Sequence, residues 1–296
     1  MTPAEVFKVI PRVFHHISIH TQEEHRFSYT DPPLAQLPED LEDLYLPDPG
    51  WPWLAWDYNQ LEDYIIGHES QDKQYLLELD EGWDGHTVFT VELFDLPPCP
   101  DYCDPHFGEQ TAAWRKEVKW KGKGDKRRKL GKNGRHALKY GKDPRLMHLM
   151  PGYRAAGIKK DMAIRGATRF LARYPRMLEW RASVAQEALK TGIVRDFRGR
   201  RWVIFERNIE AIKRRAYNGP GQIGASSIHN KVMDDINQEF GEQVSFKWGK
   251  HDSNRWAIIQ QWWNEIVPRM KAIVEQEWDF RGRKVVFPAT FKEVWA

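Results

Sequence analysis

The sequence predicts an α+β protein in which a sheet-forming part is interrupted by a mainly helical one. Three observations predict it. Strand-like runs, residues 51–56 and 244–248, stand far apart in the chain, and each leads toward a helical pattern. Between them the apolar spacing is largely that of helices. A last short strand-like run, residues 284–287, follows another helical stretch and closes the chain.

Taken in order, the first fifty residues are rich in proline, histidine and acid. Asp31-Pro32-Pro33, Leu37-Pro38 and Pro47-Asp48-Pro49-Gly50 mark turns, so this part reads as an extended approach to the first strand. Residues 51–56 read as a buried strand. Residues 59–77 carry Leu61, Tyr64, Ile65, Tyr75 and Leu76 at helical spacing and read as one helix. An apolar run at 88–94 precedes a proline-rich loop at 97–105. From Lys126 to Tyr140 a basic helix is expected, weakened by Gly131 and Gly134. Helical periodicity resumes over 160–189 with a break at Tyr174-Pro175. Residues 194–203 look like a basic hairpin. Residues 209–217 are expected as a helix, Asn218-Gly219-Pro220-Gly221 as a turn, and 222–240 as a second helix. After the strand at 244–248 come a tight turn through Asp252, a long amphipathic helix over 256–277 and the closing strand.

With 296 residues, 41% of them apolar, the chain can bury a sizeable core. No apolar run approaches the ~18 residues of a membrane span, and the mixed segment 1–12 does not resemble a secretory leader. The expectation is a soluble protein of the cytoplasm, with no membrane partner. Only two cysteines, Cys99 and Cys103, are present, which suits a reducing compartment. With His106 they could be imagined around zinc, but the second ligand pair of such sites is missing. The net charge of +3 hides a basic block between Arg115 and Arg145, where Glu117, Asp125 and Asp143 are the acids. Such a block is either a solvated face or a footprint for a polyanion such as nucleic acid.

Asp57 ends the first strand and begins the first helix. A carboxylate there suits a helix cap, and equally a ligand for a hard cation such as Mg²⁺. Asp252 again lies just past a strand, in a tight turn. On the basic helix Arg128, Lys132, His136 and Tyr140 recur every fourth position and share one face, which suits either an exposed basic helix or a cationic face that grips phosphates.

In Asp57-Tyr58-Asn59-Gln60-Leu61-Glu62 the chain resembles the first catalytic motif of the family A DNA polymerases, in the form found in DNA polymerase I and phage replicases. The likeness continues in order along the chain. Arg26-Phe27-Ser28, Asp31-Pro32-Pro33-Leu34 and Leu37-Pro38 resemble the segment leading into that motif. His86-Thr87 stands at the family's His-Thr pair. Arg128, Lys132 and Tyr140-Gly141 match its nucleotide-binding fingers helix, and Phe197-Arg198-Gly199-Arg200-Arg201 its basic hairpin. Arg214 and the stretch from Asn218 to Gln222 match the following helix and its approach. His251-Asp252 looks like the second catalytic motif, and residues 285–295 like the closing strand with its terminal tryptophan.

The resemblance implies a polymerase palm, an antiparallel sheet with helices, carrying an inserted helical fingers domain. The expected boundaries are residues 1–98 for the first part of the palm, 99–206 for the fingers and 207–296 for the second part of the palm. It implies template-directed DNA synthesis from dNTPs on primer-template DNA, with a pair of Mg²⁺ ions as cofactors. Asp57 and Asp252 would hold the ions, helped by the carbonyl of Tyr58. Lys132 and Arg128 would bind the triphosphate, with Lys132 also protonating the departing pyrophosphate and His86 against the same phosphates. Gln60 belongs to the same nucleotide-binding motif. Glu62 and Tyr140 would crowd the sugar's 2′ position and favour deoxynucleotides. Arg26, Arg214, Asn218, Gln222 and His251 would contact template and primer.

The chain also departs from the family pattern. His136 stands where an aromatic ring is usual, and Ser253 replaces the glutamate that commonly follows His-Asp. Between Thr87 and Arg128 it is longer by about twenty residues, a segment expected either to serve an added nucleic-acid or partner contact or to be a disordered loop. No thumb is expected to fit into residues 1–25, which leaves either a separate subunit bearing thumb, exonuclease or both, the favoured expectation, or an enzyme that grips DNA poorly by itself. The rival expectations are a related single-subunit RNA polymerase, disfavoured by Glu62, and a non-catalytic nucleic-acid-binding subunit, disfavoured by the joint presence of Asp57, Lys132 and Asp252.

Overall fold

The computed structural model describes residues 16–18, 28–30, 46–250 and 253–295. Arg26, the turns at 31–38, His251 and Asp252 lie outside the described residues. The chain divides into two compact units: residues 1–61 with 223–296, and residues 62–222.

The first unit is built on a four-stranded antiparallel sheet, and with the helices of the chain this confirms the α+β class. Strands β1, His16–Ser18, and β2, Ser28–Thr30, form a separate antiparallel pair. Strand β3 runs Trp53–Tyr58, so Asp57 lies within the strand rather than just past it. Along β3 Leu54, Trp56 and Tyr58 are buried and Asp57 is exposed, the alternation of a sheet with one covered face.

The second unit is mainly helical. Helices α1, Leu61–Ser70, and α2, Lys73–Asp80, replace the single helix expected over 59–77. The break has a local cause: Gln71 takes a left-handed φ of 53°, and the Asp72 side chain accepts from the Tyr75 N–H to cap α2. Helix α3, Gly85–Phe94, is buried almost all round. Helix α4, Ala112–Glu117, belongs to the extra segment, which is folded: Trp114 and Trp120 pack with Val91 and Cys99, and the Trp114 indole donates to the Pro97 carbonyl at 2.9 Å.

Helix α5 runs Lys126–Lys139 despite its glycines. They are there for close approach. A Cβ on Gly134 would stand 1.9 Å from the Tyr153 hydroxyl and 2.7 Å from the Phe89 ring of α3. Helices α6, Lys160–Ala172, and α7, Pro175–Thr191, are separated where the Tyr174-Pro175 pair predicts. The basic hairpin is present as β4, Ile193–Arg195, and β5, Arg201–Val203.

Helix α8 runs unbroken from Ile209 to Phe240, so the turn expected at residues 218–221 does not form. Pro220 costs the helix one N–H, and the flanking glycines are used for packing instead. A Cβ on Gly219 would lie 2.6 Å from Val194 Cγ1, and one on Gly221 would touch Ile66 at 3.4 Å.

In the first unit again, β6, Val244–Lys250, pairs with β7, Ser253–Ile258. The long helix expected over 256–277 is therefore a strand followed by the shorter α9, Trp263–Val274. Helix α9 buries Trp263, Ile266, Val267, Met270 and Val274, and Tyr58 donates a hydrogen bond to the Val274 carbonyl at 2.8 Å. Strands β8, Glu277–Phe280, and β9, Arg283–Val286, form a hairpin. Strand β10, Ala289–Val294, lies within the stretch 285–295 that resembles the family's closing strand, and occupies the sheet edge beside β3, giving the order β10-β3-β7-β6.

The tight α3–α5 contact gives a direct test. Alanine is the better helix former by ~1 kcal/mol, yet Gly134→Ala is expected to destabilise by about 1–3 kcal/mol through overpacking. Chemical denaturation followed by circular dichroism reads the sign.

Candidate nucleotide and metal site

In the first unit the sheet register sets Asp57 opposite Ser253, the residue that follows Asp252. Lys250 pairs with the same Ser253 from the other side, so β6 and β7 are joined through residues 251–252. The carboxylate of Asp57 is on the exposed side of β3. The side chain of Tyr58 is buried at 2% exposure and its hydroxyl is engaged, which leaves only its main-chain carbonyl as a donor. A carboxylate and a carbonyl are oxygen donors of the kind a hard cation takes, and in that sense the donors fit Mg²⁺. Among the described residues no cluster of three or more His, Cys, Asp or Glu side chains is arranged to hold a metal. Gln60, with φ 54°, forms the connection into α1.

The second unit brings together Glu62, His86, Arg128, His136 and Tyr140, all partly buried, along α1, α3 and α5. The Tyr140 hydroxyl donates to Glu62 Oε2 at 2.6 Å. The His86 and His136 rings are 5.3 Å apart, centre to centre. Burial, with help from the Arg135 charge, pushes the His86 imidazole down to about 2. Burial, with the Lys139 charge, pushes His136 down to about 4. Both are therefore neutral near pH 7 and offer hydrogen bonds rather than charge. Lys132 is exposed, and among the described residues no carboxylate pairs with it. Arg128 is not so placed: its Nε and Nη2 donate to Asp84 Oδ2 and Oδ1 at 2.7 and 2.9 Å. Arg214 is exposed on α8, while Asn218 and Gln222 are partly buried; the Asn218 Oδ1 is buried without a hydrogen-bond partner.

Beneath these residues lies a buried charge cluster that the sequence reading missed. Asp63, Arg135 and Lys139 are 4%, 2% and 4% exposed. Asp63 Oδ2 accepts from Arg135 Nη1 at 2.9 Å, and Oδ1 accepts from Lys139 Nζ at 2.8 Å and from the Tyr75 hydroxyl at 2.5 Å. Burial alone would raise the Asp63 pKa, but Arg135 and Lys139 reverse this and hold the carboxyl well below the usual carboxylate range. The cluster fixes α5 to α1 one residue away from Glu62 and from Tyr140, since Asp63 follows Glu62 and Lys139 precedes Tyr140. The available signal was the second stripe on α5, Arg135 and Lys139 four apart, which looks like ordinary surface charge until a partner is known.

The zinc reading of the cysteine loop gains no support. Cys99 and Cys103 are free thiols that donate to the carbonyls of Asp101 and Glu81, and His106 is buried against Trp120.

Removing Asp63 tests the cluster. Asp63→Asn leaves Arg135 buried without its countercharge and Lys139 with only Glu62 Oε2, 3.9 Å away, and is expected to cost about 3–5 kcal/mol. The pH dependence follows from the sign of the shift. With a lowered folded pKa, the contribution of Asp63 is full above the unfolded carboxylate value of ~4 and is lost as pH falls below it. Acid unfolding curves should therefore show a smaller acid-dependent loss in Asp63→Asn than in the parent.

Comparison with known proteins gives three further findings. No family model matches the chain. In sequence it is 25% identical over 223 residues to the thermostable DNA polymerase I of Thermus thermophilus, a match covering 70% of this chain and 23% of that protein. It is 25% identical over 236 residues to DNA polymerase I of Geobacillus stearothermophilus, covering 74% and 23%, and 22% identical over 229 residues to that of Chloroflexus aurantiacus, covering 74% and 21%. The match thus spans less than a quarter of these curated relatives. In structure, the POL domain of Pol1 from M. smegmatis, solved in complex with DNA primer-template and dNTP, superposes with a TM-score of 0.71 at 19% identity, covering 96% of this chain and 47% of that one. That likeness establishes a polymerase-domain fold. With the sequence matches to DNA polymerase I, it makes this chain a relative of the family A DNA polymerases.

Proposed function

We propose that the chain is the palm-and-fingers part of a DNA-directed DNA polymerase, extending a primer 3′ end on a DNA template from dNTPs. The observation that supports this most is the β3–β7 register, in which the exposed Asp57 faces the residue next to Asp252. On this reading the palm is residues 1–98 and 207–296, which takes in the first unit, and the fingers are residues 99–206 of the second. Asp57 and Asp252, with the Tyr58 carbonyl, would hold a pair of Mg²⁺ ions, whose chemistry is to neutralise the triphosphate and sharpen the primer hydroxyl as a nucleophile.

The residues of the second unit would do the rest. Lys132, exposed and without a carboxylate partner among the described residues, meets the triphosphate as a cation, and its Nζ proton is the one available to the leaving pyrophosphate. Arg128 reaches phosphate through Nη1, the part of its fork that Asp84 does not use. His86 contributes as a neutral imidazole, and His136 as a neutral ring against base or sugar. The Tyr140–Glu62 hydrogen bond holds both side chains still where they would exclude a 2′-hydroxyl. Primer-template contacts fall to Arg26, Arg214, Asn218, Gln222 and His251. A separate subunit supplying thumb or exonuclease functions is part of the proposal through the sequence resemblance alone.

Primer extension with Mg²⁺ and dNTPs is the test. Asp57→Ala and Asp252→Ala should each abolish extension while DNA binding persists, and normal extension by either variant would sink the assignment. Lys132→Ala should lower kcat by about 10²-fold or more. Glu62→Ala should admit ribonucleotides that the parent rejects, which also separates this reading from an RNA polymerase.

A further inference from the structure

The segment between α3 and α5 does more than add basic surface. Its one buried histidine, His106, is 6% exposed and points back at the Arg128 site. The Trp120 indole N–H donates to His106 Nδ1 at 3.3 Å, so Nδ1 carries no proton and the neutral ring keeps its proton on Nε2. Nε2 stands 3.4 Å from Asp84 Oδ2, a close polar approach short of a hydrogen bond, and that oxygen accepts from Arg128 Nε. The ring lies nearly coplanar with the Trp120 indole, at an interplanar angle of 16° with ring centres 6.3 Å apart, and the His106 main-chain carbonyl accepts from Arg115 Nη1.

Asp84 is the point where these groups converge. Its Oδ1 accepts the backbone N–H of His86 at 3.2 Å and so caps α3, and its Oδ2 accepts from the Thr87 hydroxyl at 2.6 Å. Against the effect of burial, the His106 and Arg128 contacts hold its carboxyl far below the usual range, so it stays ionised. One carboxylate thus locks the orientation of the Arg128 guanidinium relative to the start of α3, and His106 is its support from the extra segment.

We infer that His106 is a positioning residue for nucleotide binding: through Asp84 it holds the Arg128 fork with Nη1 directed to phosphate, which makes the extra segment a part of the nucleotide site. The inference rests on the reading of Arg128 as a triphosphate ligand. A side chain acting on ground-state phosphate binding should change KM and spare kcat.

The test is steady-state incorporation on a primed template, with the dNTP concentration varied, for the parent, His106→Ala, His106→Gln and Asp84→Asn. Glutamine offers an N–H donor toward Asp84. Asparagine keeps the cap on α3 and loses the charge that holds Arg128. His106→Ala and Asp84→Asn are expected to raise the dNTP KM about fivefold or more with kcat within about twofold, and His106→Gln to restore most of the loss. An unchanged KM in His106→Ala overturns the inference, as does failure of glutamine to rescue. A lowered KM in Asp84→Asn also overturns it, because Asp84 would then be sequestering Arg128 rather than aiming it. Circular dichroism melting identifies any variant that loses its fold, and in that case Trp120→Phe, which removes the donor to Nδ1 and keeps an aromatic ring, replaces it with the same KM expectation. A parent that incorporates no nucleotide counts against the proposed function instead. Calorimetric titration with inorganic tripolyphosphate then decides the inference separately: weaker binding by His106→Ala upholds it, and equal binding overturns it.

Discussion

The second unit depends on a carboxylate with almost no access to water. Asp63 meets Arg135, Lys139 and Tyr75 at once, and each of those groups would be costly to bury alone. A buried ion pair of this kind is a poor source of net stability, because desolvation offsets most of the attraction. What it confers is position. The charges tolerate one arrangement of α5 against α1, and that arrangement sets the Glu62–Tyr140 hydrogen bond and the neutral His86–His136 pair. A purely apolar contact between the same helices would permit sliding at less penalty.

Asp84 plays a similar part at the other end of α5. Its hydrogen bonds run to the first turn of α3, to Arg128 near the start of α5, and its near contact to His106 in the extra segment. Between the two carboxylates, Gly131 and Gly134 let α5 press against α3 so closely that no side chain fits between. Helix α5 is thus held at both ends by charge and in the middle by contact. Lys132, on the exposed face, is outside this lattice.

In the first unit the comparable constraint is strand register. The position of Asp57 beside the β6–β7 connection follows from the pairing of β3 with β7, and a shift by one residue would turn Asp57 inward and Trp56 outward. Tyr58, anchored to the end of α9, opposes such a slip.

How much of this was legible depends on the distance over which each signal acts. The Tyr174-Pro175 break, the basic hairpin and the α5 stripe of Arg128, Lys132, His136 and Tyr140 were readable because periodicity, proline and turn chemistry are properties of neighbouring residues. The sequence by itself also determined the α+β class and the likeness to family A polymerases, since ordered motifs survive without coordinates. The misreadings share the opposite cause. Asn218-Gly219-Pro220-Gly221 has turn composition, yet packing against Val194 and Ile66 makes it helix. Residues 256–258 continue an apolar pattern into α9, yet pairing with β3 and β6 makes them strand. Only the tertiary structure decided that Asp63, Arg135 and Lys139 are a buried cluster rather than surface charge, and that Arg128 pairs with Asp84 while His106 lies beside that carboxylate. Those outcomes rest on desolvation and on partners 22 to 76 residues away, and no local pattern encodes which partner a charge will meet.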